Sequence, residues 1–381
     1  MPVLENWVDS RFGPIRYVAG MSVKPPEPAW WIYDCRLSRP IGDWFNDNAT
    51  IAMGASIDGS DALRRALGEA IERYNCLNSM NFAESVQMPL AGNPIVDMLP
   101  LCADFEPCTS TFKRMPKTVP ITQVKMRRLS NDTEAWMPAG FVHLNFSPKP
   151  PEPLLTLPIT SGLAFHSDLL TAIWSGLLEY AERDAVMTCW WLRRAKRIVI
   201  DEADVEDALA ERLMRMRRAG LEPFLFDIST DFRVPCVFCV LRSDIRPYYT
   251  VGAACHADAA FACVKALDEA MCIRIVQKEF GKTRTFPSLT EFDWLKSLED
   301  RADLFAQWKG SPALDFLFAE KQATTSLDEI GQQIWWTAPS NMAELSQFAK
   351  LMEERDLIPF WSDTTIDDVR DLGHCIKVVV P

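Results

Sequence analysis

Apolar residues follow two periods along the chain, one typical of strands and one typical of helices, and the pattern predicts interleaved strands and helices. Four long stretches carry apolar residues three and four positions apart. The third stretch closes on Gly220, a residue type that commonly ends helices. Together the stretches predict helices over residues 60–79, 169–194, 204–220 and 259–278.

Short apolar runs between these stretches predict strands, but without the regular strand–helix–strand period of a parallel sheet. The last two runs, "LIPFWSD" and "HCIKVVVP", form a hairpin-like pair bridged by the helical segment "TIDDVRDLG". This mixture of strands and helices favours an α+β, or mixed α/β, layered fold. The sequence contains neither of the two common glycine-rich phosphate-binding motifs. Further strands are predicted at residues 12–23, 29–37, 139–146, 196–200, 222–229 and 234–243.

The pentapeptide "KPPEP" occurs twice, at residues 24–28 and 149–153. Proline fixes φ and biases the preceding residue toward extended geometry, so neither copy can be helical. The sequence around one copy does not match the sequence around the other. We therefore interpret both copies as polyproline-like connectors.

Composition and charge narrow the class of protein. Hydrophobic residues make up 48% of the 381 residues, yet no apolar run is long enough to cross a bilayer. The first residues also lack the pattern of a signal peptide. We expect a cytoplasmic protein that does not bind membranes. The net charge of −12 and the lack of a long basic run argue against broad nucleic-acid binding. Cys236 and Cys239 have C-x-x-C spacing but no second pair, which predicts buried free thiols.

Two predicted helices contain the same string, E-x-x-E-R. The first copy is Glu69, Glu72 and Arg73, with Arg65 one turn earlier. Residues three and four apart share one face of a helix, and the apolar residues of this helix occupy the opposite face. Taken alone, this copy indicates a solvated charged face.

The second copy is Glu179, Glu182 and Arg183, and its helix is apolar on all sides. A helix of that kind is buried, and buried carboxylates are costly unless they are paired or bound to metal. Two explanations are open at this point. One is a structural salt bridge to Arg183 or Arg194, and the other is a metal site.

A third apolar helix carries Glu269, with Arg274 one and a half turns further on. Clustered acids repel one another and need cations. Mg²⁺ takes oxygen ligands, and arginine binds phosphate through paired donors. A nucleotide held by Mg²⁺ between the glutamate-bearing helices meets both needs, whereas the four histidines lack the spacing of a softer metal site.

Three blocks of this sequence resemble the YcaO family of ATP-using, peptide-modifying enzymes, and the resemblance covers nearly the whole chain. Three blocks in the family's order are far more specific than one E-x-x-E-R string. The blocks are "GASIDGSDALRRALGEAIERYN" (residues 54–75), "TSGLAFHSDLLTAIWSGLLEYAERDAVMTCWW" (160–191) and "GAACHADAAFACVKALDEAMCIRIV" (252–276).

The resemblance implies a single YcaO-like catalytic domain over residues 1–381, with layered mixed and antiparallel sheets and helices that line a central nucleotide site. It divides the chain into an N-terminal strand and loop segment (1–50), an ATP-site core (51–280) and a C-terminal segment (281–381). ATP and Mg²⁺ are the implied cofactors. The implied metal ligands are Glu69, Glu72, Glu179 and Glu182, and the implied ATP-binding residues are Arg65, Arg73, Ser161, Glu269 and Arg274.

Within the family the similarity is greatest to the D-protein type of azoline-forming cyclodehydratase, which serves ribosomal peptide biosynthesis, including bacteriocins and antibiotics. The implied reaction begins when a Cys, Ser or Thr side chain attacks the preceding backbone carbonyl. The oxyanion takes the γ-phosphoryl group of ATP, and phosphate leaves to give a thiazoline or oxazoline. Two alternatives stay open: thioamide or amidine formation at a backbone amide, and a non-catalytic scaffold subunit of a peptide-modifying complex.

The resemblance also implies partners. The substrate is a precursor peptide, and an E1-like partner protein is expected to recognise its leader, because the chain has no E1-like region with paired C-x-x-C motifs. A flavin-dependent azoline dehydrogenase and a homodimer are further expectations. The proline-rich tail of the family is not present in the sequence, which ends at Pro381.

Several neutral positions depart from the family pattern, although the carboxylates are kept. The departures are Ala55 at a usual lysine, Arg65 at a serine, Ser161 at an asparagine, His166 at a glycine and Cys272 at a glutamine. Arg65 lies one turn from Glu69, so we expect it to replace the phosphate-binding charge of the missing lysine. Substitution of Arg65 by alanine should then abolish ATP turnover.

Overall fold

The computed structural model describes residues 7–38, 50–89, 119–153, 155–156, 159–201, 205–281, 286, 294–295, 298–333 and 336–381. Strands and helices interleave along this part of the chain. The strands are β1 (Ile15–Gly20), β2 (Trp31–Leu37), β3 (Ile51–Ser56), β4 (Ser85–Pro89), β5 (Pro120–Arg128), β6 (Glu134–Pro138), β7 (Leu163–His166), β8 (Lys196–Ile198), β9 (Leu221–Asp227), β10 (Cys236–Ser243), β11 (Tyr249–Cys255), β12 (Thr324–Thr325), β13 (Phe360–Asp363) and β14 (His374–Val379).

The helices include the four long ones that the apolar periodicity predicts. Within the described residues, no helix combines the length and the apolar character needed to cross a bilayer. The helices are α1 (Gly59–Cys76), α2 (Leu169–Leu192), α3 (Asp207–Arg218), α4 (Ala259–Phe280), α5 (Leu298–Gln307), α6 (Leu327–Gln333), α7 (Met342–Glu353) and α8 (Asp367–Arg370).

The strands form three sheets. The first has the order β1-β2-β3, the second β11-β10-β9-β8-β12, and the third β4-β5-β13-β14-β7 with β6 paired to β5. All described strand pairs are antiparallel except β8 and β12, which run parallel. The predicted α+β, mixed α/β class is confirmed.

Three edge strands, one from each sheet, lead directly into the three glutamate-bearing helices. β3 precedes α1, β7 precedes α2 and β11 precedes α4. Each helix packs against its own edge strand and also against the edge strand of the next unit, so that α1 contacts β7, α2 contacts β11 and α4 contacts β3. The three units therefore close into a ring.

Glycines in β3 and β11 allow the strand and its helix to come close together. A Cβ atom on Gly54 would lie 2.1 Å from the carbonyl oxygen of Ala62, and one on Gly252 would lie 2.2 Å from that of Ala266. No side chain fits in either place. The helices are thereby close enough for a glutamate side chain to reach the backbone of the strand.

Of three local predictions, one was wrong, one was too long and one is confirmed. Residues 139–146 are not a strand, because the sheet strand is β6 and a short 3-10 helix (Ala139–Phe141) follows it. The predicted strand at residues 196–200 is only β8, and of its three residues Ile198 alone is buried. The terminal pair is confirmed, since β13 and β14 run antiparallel with α8 between them.

The two "KPPEP" segments are not polyproline-like connectors. Each is a turn in which the glutamate N–H donates to the lysine carbonyl, at 3.1 Å for Glu27 and 2.9 Å for Glu152. Both glutamates are buried. Glu27 binds the guanidinium of Arg274, and Glu152 accepts from the backbone N–H and the hydroxyl of Thr122. The repeated motif thus delivers a carboxylate into the interior twice.

Candidate functional site

The three edge-strand units repeat one construction at the start of the helix. An aspartate caps each helix by accepting from the backbone N–H three residues on. A glutamate follows the cap at the same distance of eleven residues in every unit: Asp58 and Glu69, Asp168 and Glu179, Asp258 and Glu269.

Each of these glutamates accepts a hydrogen bond from the backbone of its own edge strand. Glu69 accepts from the N–H of Met53 at 2.9 Å, and Glu269 accepts from the N–H of Ala253 at 2.7 Å. Glu179 accepts from the N–H of Gly162, the residue before β7, at 3.1 Å. The bonds fix three carboxylates at equivalent places in the ring.

A second glutamate follows one turn later in two of the units, as Glu72 in α1 and Glu182 in α2. Glu72 is repelled by Glu69 and Glu179, Glu182 is repelled by Glu179 and Glu269, and Glu269 is repelled by Glu69. The structure therefore brings together five of the predicted site residues as a closed circle of like charges, which we call the carboxylate ring.

Burial makes this ring unfavourable as a set of bare anions. It raises the pKa of Glu72 and of Glu182 to about 8, and repulsion from the neighbouring carboxylates adds to the effect. The pKa values of Glu179 and Glu269 are also raised, mainly by burial. A bound cation would favour the charged forms of all four.

Two arginines lie within the ring. Arg73 donates from Nη2 to Glu69 at 3.1 Å, and its Nε–H is buried without a hydrogen-bond partner among the described residues. Arg183 lies 3.5 Å from Glu179 and 3.8 Å from Glu182. The unpaired donor of Arg73 is the kind of group that an anion such as phosphate would satisfy.

Lys377 is a site residue that sequence reasoning missed. It lies on β14, is fully buried, and donates from Nζ to the carbonyls of Ile159 at 2.9 Å and Ser161 at 2.8 Å. Burial lowers the pKa of Lys377 to about 8, while Glu179 and Glu72 act in the opposite direction. Its ammonium is thus an internal cation beside the ring, and only long-range pairing of β14 with β7 puts it there.

The predicted phosphate contact of Arg274 is not what the structure shows. Arg274 is fully buried, and its guanidinium donates to both oxygens of Glu27, at 2.6 and 2.9 Å, and to the carbonyl of Pro247 at 2.6 Å. Five helical residues separate Arg274 from Glu269, a rotation of about 140°, so the two side chains leave different faces of α4.

The cation that α4 does supply is Lys265, four residues before Glu269 and on the same face. Lys265 is exposed, and its charge lowers the pKa of both Glu269 and Glu182 against the larger effect of burial. Simple helical spacing could have identified it.

The remaining predicted residues lie beside the ring rather than in it. Arg65 contacts Asp61 at 2.7 Å and Asp268 at 3.1 Å, and Arg212 binds Asp268 from the other side at 2.8 Å. Arg65 therefore belongs to a charge-balanced cluster between α1, α3 and α4. The carbonyl of Ser161 is held by Lys377, and Ser161 precedes the glycine that binds Glu179.

Cys272, which stands where the family usually has glutamine, lies at the position in α4 that is equivalent to a ring glutamate in α1 and α2. Cys272 occupies in α4 the position that Glu72 and Glu182 occupy in α1 and α2, fourteen residues after the capping aspartate. Burial raises the pKa of Cys272 to about 12, and the charges of Glu69 and Glu269 add to this. The third unit thus contributes one carboxylate where the other two contribute two.

The donor set of the ring fits Mg²⁺. All five side chains offer carboxylate oxygens, and Mg²⁺ is usually held by one or two carboxylates together with phosphate oxygens and water. Among the described residues no three His, Cys, Asp or Glu side chains are already arranged around one metal position. Magnesium would therefore be held jointly by the glutamates and a phosphate-bearing ligand.

Solved structures with a similar fold include one bound with AMPPCP and Mg²⁺. The chain aligns over all its length with 52% of a "heterocyclase in complex with substrate and cofactor", at 17% identity and a TM-score of 0.80. It also aligns, over 96% of its length and 85% of the other chain, with YcaO from Methanopyrus kandleri bound with AMPPCP and Mg²⁺. The identity there is 16% and the TM-score is 0.62.

Sequence comparison assigns the family. An uncharacterised protein of Methanothermobacter thermautotrophicus is 28% identical over 266 residues, which are 68% of this chain and 64% of the relative. The chain thus spans 64% of that relative's length and 52% of the heterocyclase's. A family profile described as "YcaO cyclodehydratase, ATP-ad Mg2+-binding" matches residues 53–381, and the chain therefore belongs to the YcaO family.

Proposed function

We propose that this protein is an ATP-dependent peptide cyclodehydratase of ribosomal peptide biosynthesis. The observation that carries the proposal is the carboxylate ring with Arg73 and Arg183 inside it, in a chain of the YcaO family. The ring is a partly buried, all-oxygen donor set whose anions lack enough counter-charge. Mg²⁺ and the phosphates of ATP supply what it lacks.

In this proposal Glu69, Glu72, Glu179 and Glu182 hold Mg²⁺, which supplies neutralisation of phosphate charge when bound. The hydrogen bonds from Met53 and Gly162 orient Glu69 and Glu179 before any ligand arrives. The free Nε–H of Arg73 is available to a phosphate oxygen. Glu269 completes the nucleotide site from α4.

We keep Ser161 and Arg65 as proposed nucleotide contacts. Ser161 adjoins the turn that positions Glu179, and the side chain of Arg65 is 29% exposed although it pairs with Asp61 and Asp268. Arg65→Ala should abolish ATP turnover, and normal turnover in that variant would remove Arg65 from the site. We do not propose Arg274 as a phosphate ligand.

The chemistry would proceed on a Cys, Ser or Thr residue of the precursor peptide. Its side-chain oxygen or sulfur gives up its proton and attacks the preceding amide carbon, and the amide oxygen takes the γ-phosphoryl group of ATP, which releases ADP. Loss of phosphate and of the amide N–H proton then forms the C=N bond of the azoline ring. Positioning and electrostatic stabilisation are the main contributions that a protein makes to phosphoryl transfer.

The proposal includes partners. An E1-like protein would recognise the leader of the precursor peptide, a flavin-dependent dehydrogenase could oxidise the azoline afterwards, and the enzyme would act as a homodimer in the cytoplasm. The peptide and partner proteins are supported by the similar fold of a heterocyclase in complex with substrate and of the E. coli microcin synthetase McbBCD complex. Co-purification with the products of neighbouring genes would test them.

Phosphate release from MgATP, with and without partner and precursor, tests the activity. Glu182→Gln should lower it at least a hundredfold, whereas Glu211→Gln, a matched change at a glutamate that pairs with Arg215 on α3, should not. Loss of one water per modified residue, measured by mass spectrometry, supports azoline formation. Exchange of oxygen for sulfur would indicate thioamidation instead, and no hydrolysis under any combination would indicate a scaffold.

A further inference from the structure

The end of α2 presents an unusual surface that the carboxylate ring does not explain. Four positive side chains within five residues follow the exposed aromatic end of the helix. They are Arg193, Arg194, Lys196 and Arg197, all exposed, in a protein whose net charge is −12. Within the described part of the chain, none of the four has a carboxylate at ion-pair distance.

The dipole of helix α2 does not account for this cluster of basic residues. Basic residues in the last turn of a helix are favoured by the helix dipole, but that effect fades within a turn. Lys196 and Arg197 lie on β8, beyond the helix. Arg193 and Arg197 instead lie over aromatic rings, Arg193 over Phe316 at 5.5 Å and Arg197 over Phe224 at 4.7 Å. These contacts orient the two guanidinium groups, and neither group has a carboxylate at ion-pair distance among the described residues.

Apolar side chains border the same cluster. Trp191 is 77% exposed, Leu192 58% and Met187 51%. Neighbouring Trp190 is anchored edge-on by Phe305 and Phe316, with ring centroids 6.3 and 6.0 Å apart. Exposed aromatic and aliphatic groups on a rigid support, rimmed by charge, are typical of recognition surfaces.

A cavity of about 570 Å³ opens beside the basic cluster, and Leu192 is the exposed apolar residue named above that lines it. It lies between the end of α2 and the loop after β9, and Arg193, Arg194 and Lys196 line one side. Of the two aspartates in its wall, Asp231 pairs with Arg355 at 2.8 Å, whereas Asp227 accepts from the neutral Ser229 and keeps its charge. The basic side chains outnumber the aspartates, so the lining of the cavity carries a net positive charge.

We infer that this surface, the end of α2 with the cavity below it, binds an acidic peptide segment that also carries aromatic or aliphatic residues. Charge complementarity assigns the acidic character, and the exposed Trp191 and Leu192 assign the apolar contacts. A short peptide suits the surface better than a long polyanion, because the net charge of −12 repels extended nucleic acid.

The surface and the carboxylate ring share helix α2. Thr188 in the cavity wall is six residues after Glu182, about 9 Å along the helix axis, and its side chain leaves a different face of the helix, about 120° away. A peptide bound at this surface therefore lies on another side of α2 from the ring. Resting on the proposed function, the peptide class is the precursor substrate, held by an acidic stretch outside the residues to be modified.

Fluorescence anisotropy with a fluorescein-labelled nonapeptide of six glutamates, two leucines and one phenylalanine tests the inference, together with a copy in which glutamine replaces glutamate. The wild-type chain should bind the acidic probe at least tenfold more tightly than the neutral one, and the affinity should fall with salt. Arg194→Glu with Lys196→Glu should weaken binding at least tenfold, and Trp191→Ala at least threefold.

Arg16→Glu with Lys350→Glu is the matched control, because it makes the same change of net charge at exposed residues elsewhere. Equal losses in the two double variants, or equal binding of both peptides, would overturn the inference. Tighter binding of a labelled single-stranded DNA at this surface would also overturn it. Unfolding temperatures show that each variant is folded.

The same variants separate this inference from the proposed function. Arg194→Glu with Lys196→Glu should leave basal MgATP hydrolysis unchanged while peptide binding is lost. If the wild-type chain binds the peptide but never hydrolyses ATP, the surface stands and the proposed activity fails. If it hydrolyses ATP but does not bind the acidic peptide, the inference fails alone.

Discussion

The carboxylate of Glu69 and the backbone N–H of Met53 are joined by a hydrogen bond of 2.9 Å that ties helix α1 to the edge strand before it. The same bond occurs between Glu269 and Ala253, and an equivalent one between Glu179 and Gly162. An edge strand has backbone groups without a strand partner. In this protein those groups orient the acids that the proposed chemistry needs.

Replacing one of these glutamates by glutamine should show whether its charge is needed for ATP hydrolysis or for the stability of the fold. Glu179→Gln keeps an oxygen that can accept from Gly162 but removes the charge. We expect at least a hundredfold loss of MgATP hydrolysis with no loss of thermal stability, because one member of a partly buried set of like charges is gone. Phosphate release and thermal unfolding measure the two effects, and unchanged hydrolysis would contradict the metal role.

Arg274 should prove to be a stability residue. Arg274→Met removes the main partner of the buried Glu27, and breaking a buried ion pair costs about 3–5 kcal/mol. Urea denaturation should show this loss, and the double variant Glu27→Gln with Arg274→Met should recover part of it. The folded variants should bind a MgATP analogue within about threefold of wild type. A selective loss of nucleotide binding would restore the phosphate role.

We expect Lys377 to stabilise the charged carboxylates of the ring and the segment that contains Ile159 and Ser161. Lys377→Met leaves the buried carbonyls of Ile159 and Ser161 without their donor, at a cost of about 1–3 kcal/mol each. It also removes the cation beside Glu72 and Glu179. We expect weaker binding of a MgATP analogue measured by calorimetry, with Lys377→Arg recovering part of the affinity. Equal effects of both substitutions would show that packing alone matters.

Gly54 and Gly68 form a matched pair for testing the close approach of β3 and α1. A Cβ on Gly54 would overlap the backbone of Ala62, so Gly54→Ala should force the helix away, cost about 1–3 kcal/mol or more, and disturb Glu69. Gly68 has no heavy atom within 4 Å of such a Cβ, and Gly68→Ala should stabilise α1 by about 0.5–1 kcal/mol. Thermal unfolding and MgATP hydrolysis compare them, and equal behaviour would contradict the packing argument.

His143 predicts a pH dependence of stability. Burial, with help from the charge of Lys377, lowers the pKa of His143 from its usual 6.5 to about 4. Between these values the unfolded chain binds a proton that the folded protein does not, so stability falls as the pH drops from 6.5 to 4, on the order of 3 kcal/mol in total. His143→Gln should flatten this part of the profile of unfolding free energy. Parallel profiles for the two proteins would contradict the assignment.

Much of the ring could be predicted from the sequence because its parts are local. Periodicity determines which stretches are helices, and spacing along a helix determines that Glu69 and Glu72, or Glu179 and Glu182, share a face. The equal spacing from each capping aspartate to its glutamate is also in the sequence, and it is the signal that could have revealed the three equivalent units. Helical geometry turns Arg274 away from Glu269, so spacing along α4 does not support the predicted phosphate contact.

Contacts between segments that are distant in sequence were decided only by the tertiary structure. The sequence does not show that the first "KPPEP" turn carries Glu27 to Arg274, or that β14 carries Lys377 beneath the ring. Nor does it show that the basic end of α2 lies over a cavity. Helix patterns follow from neighbours three and four residues apart, whereas these contacts depend on how the sheets pair and stack. By itself, then, the sequence determined the glutamates, their helices and the family, and the pairing of edge strands with helices decided that the glutamates meet.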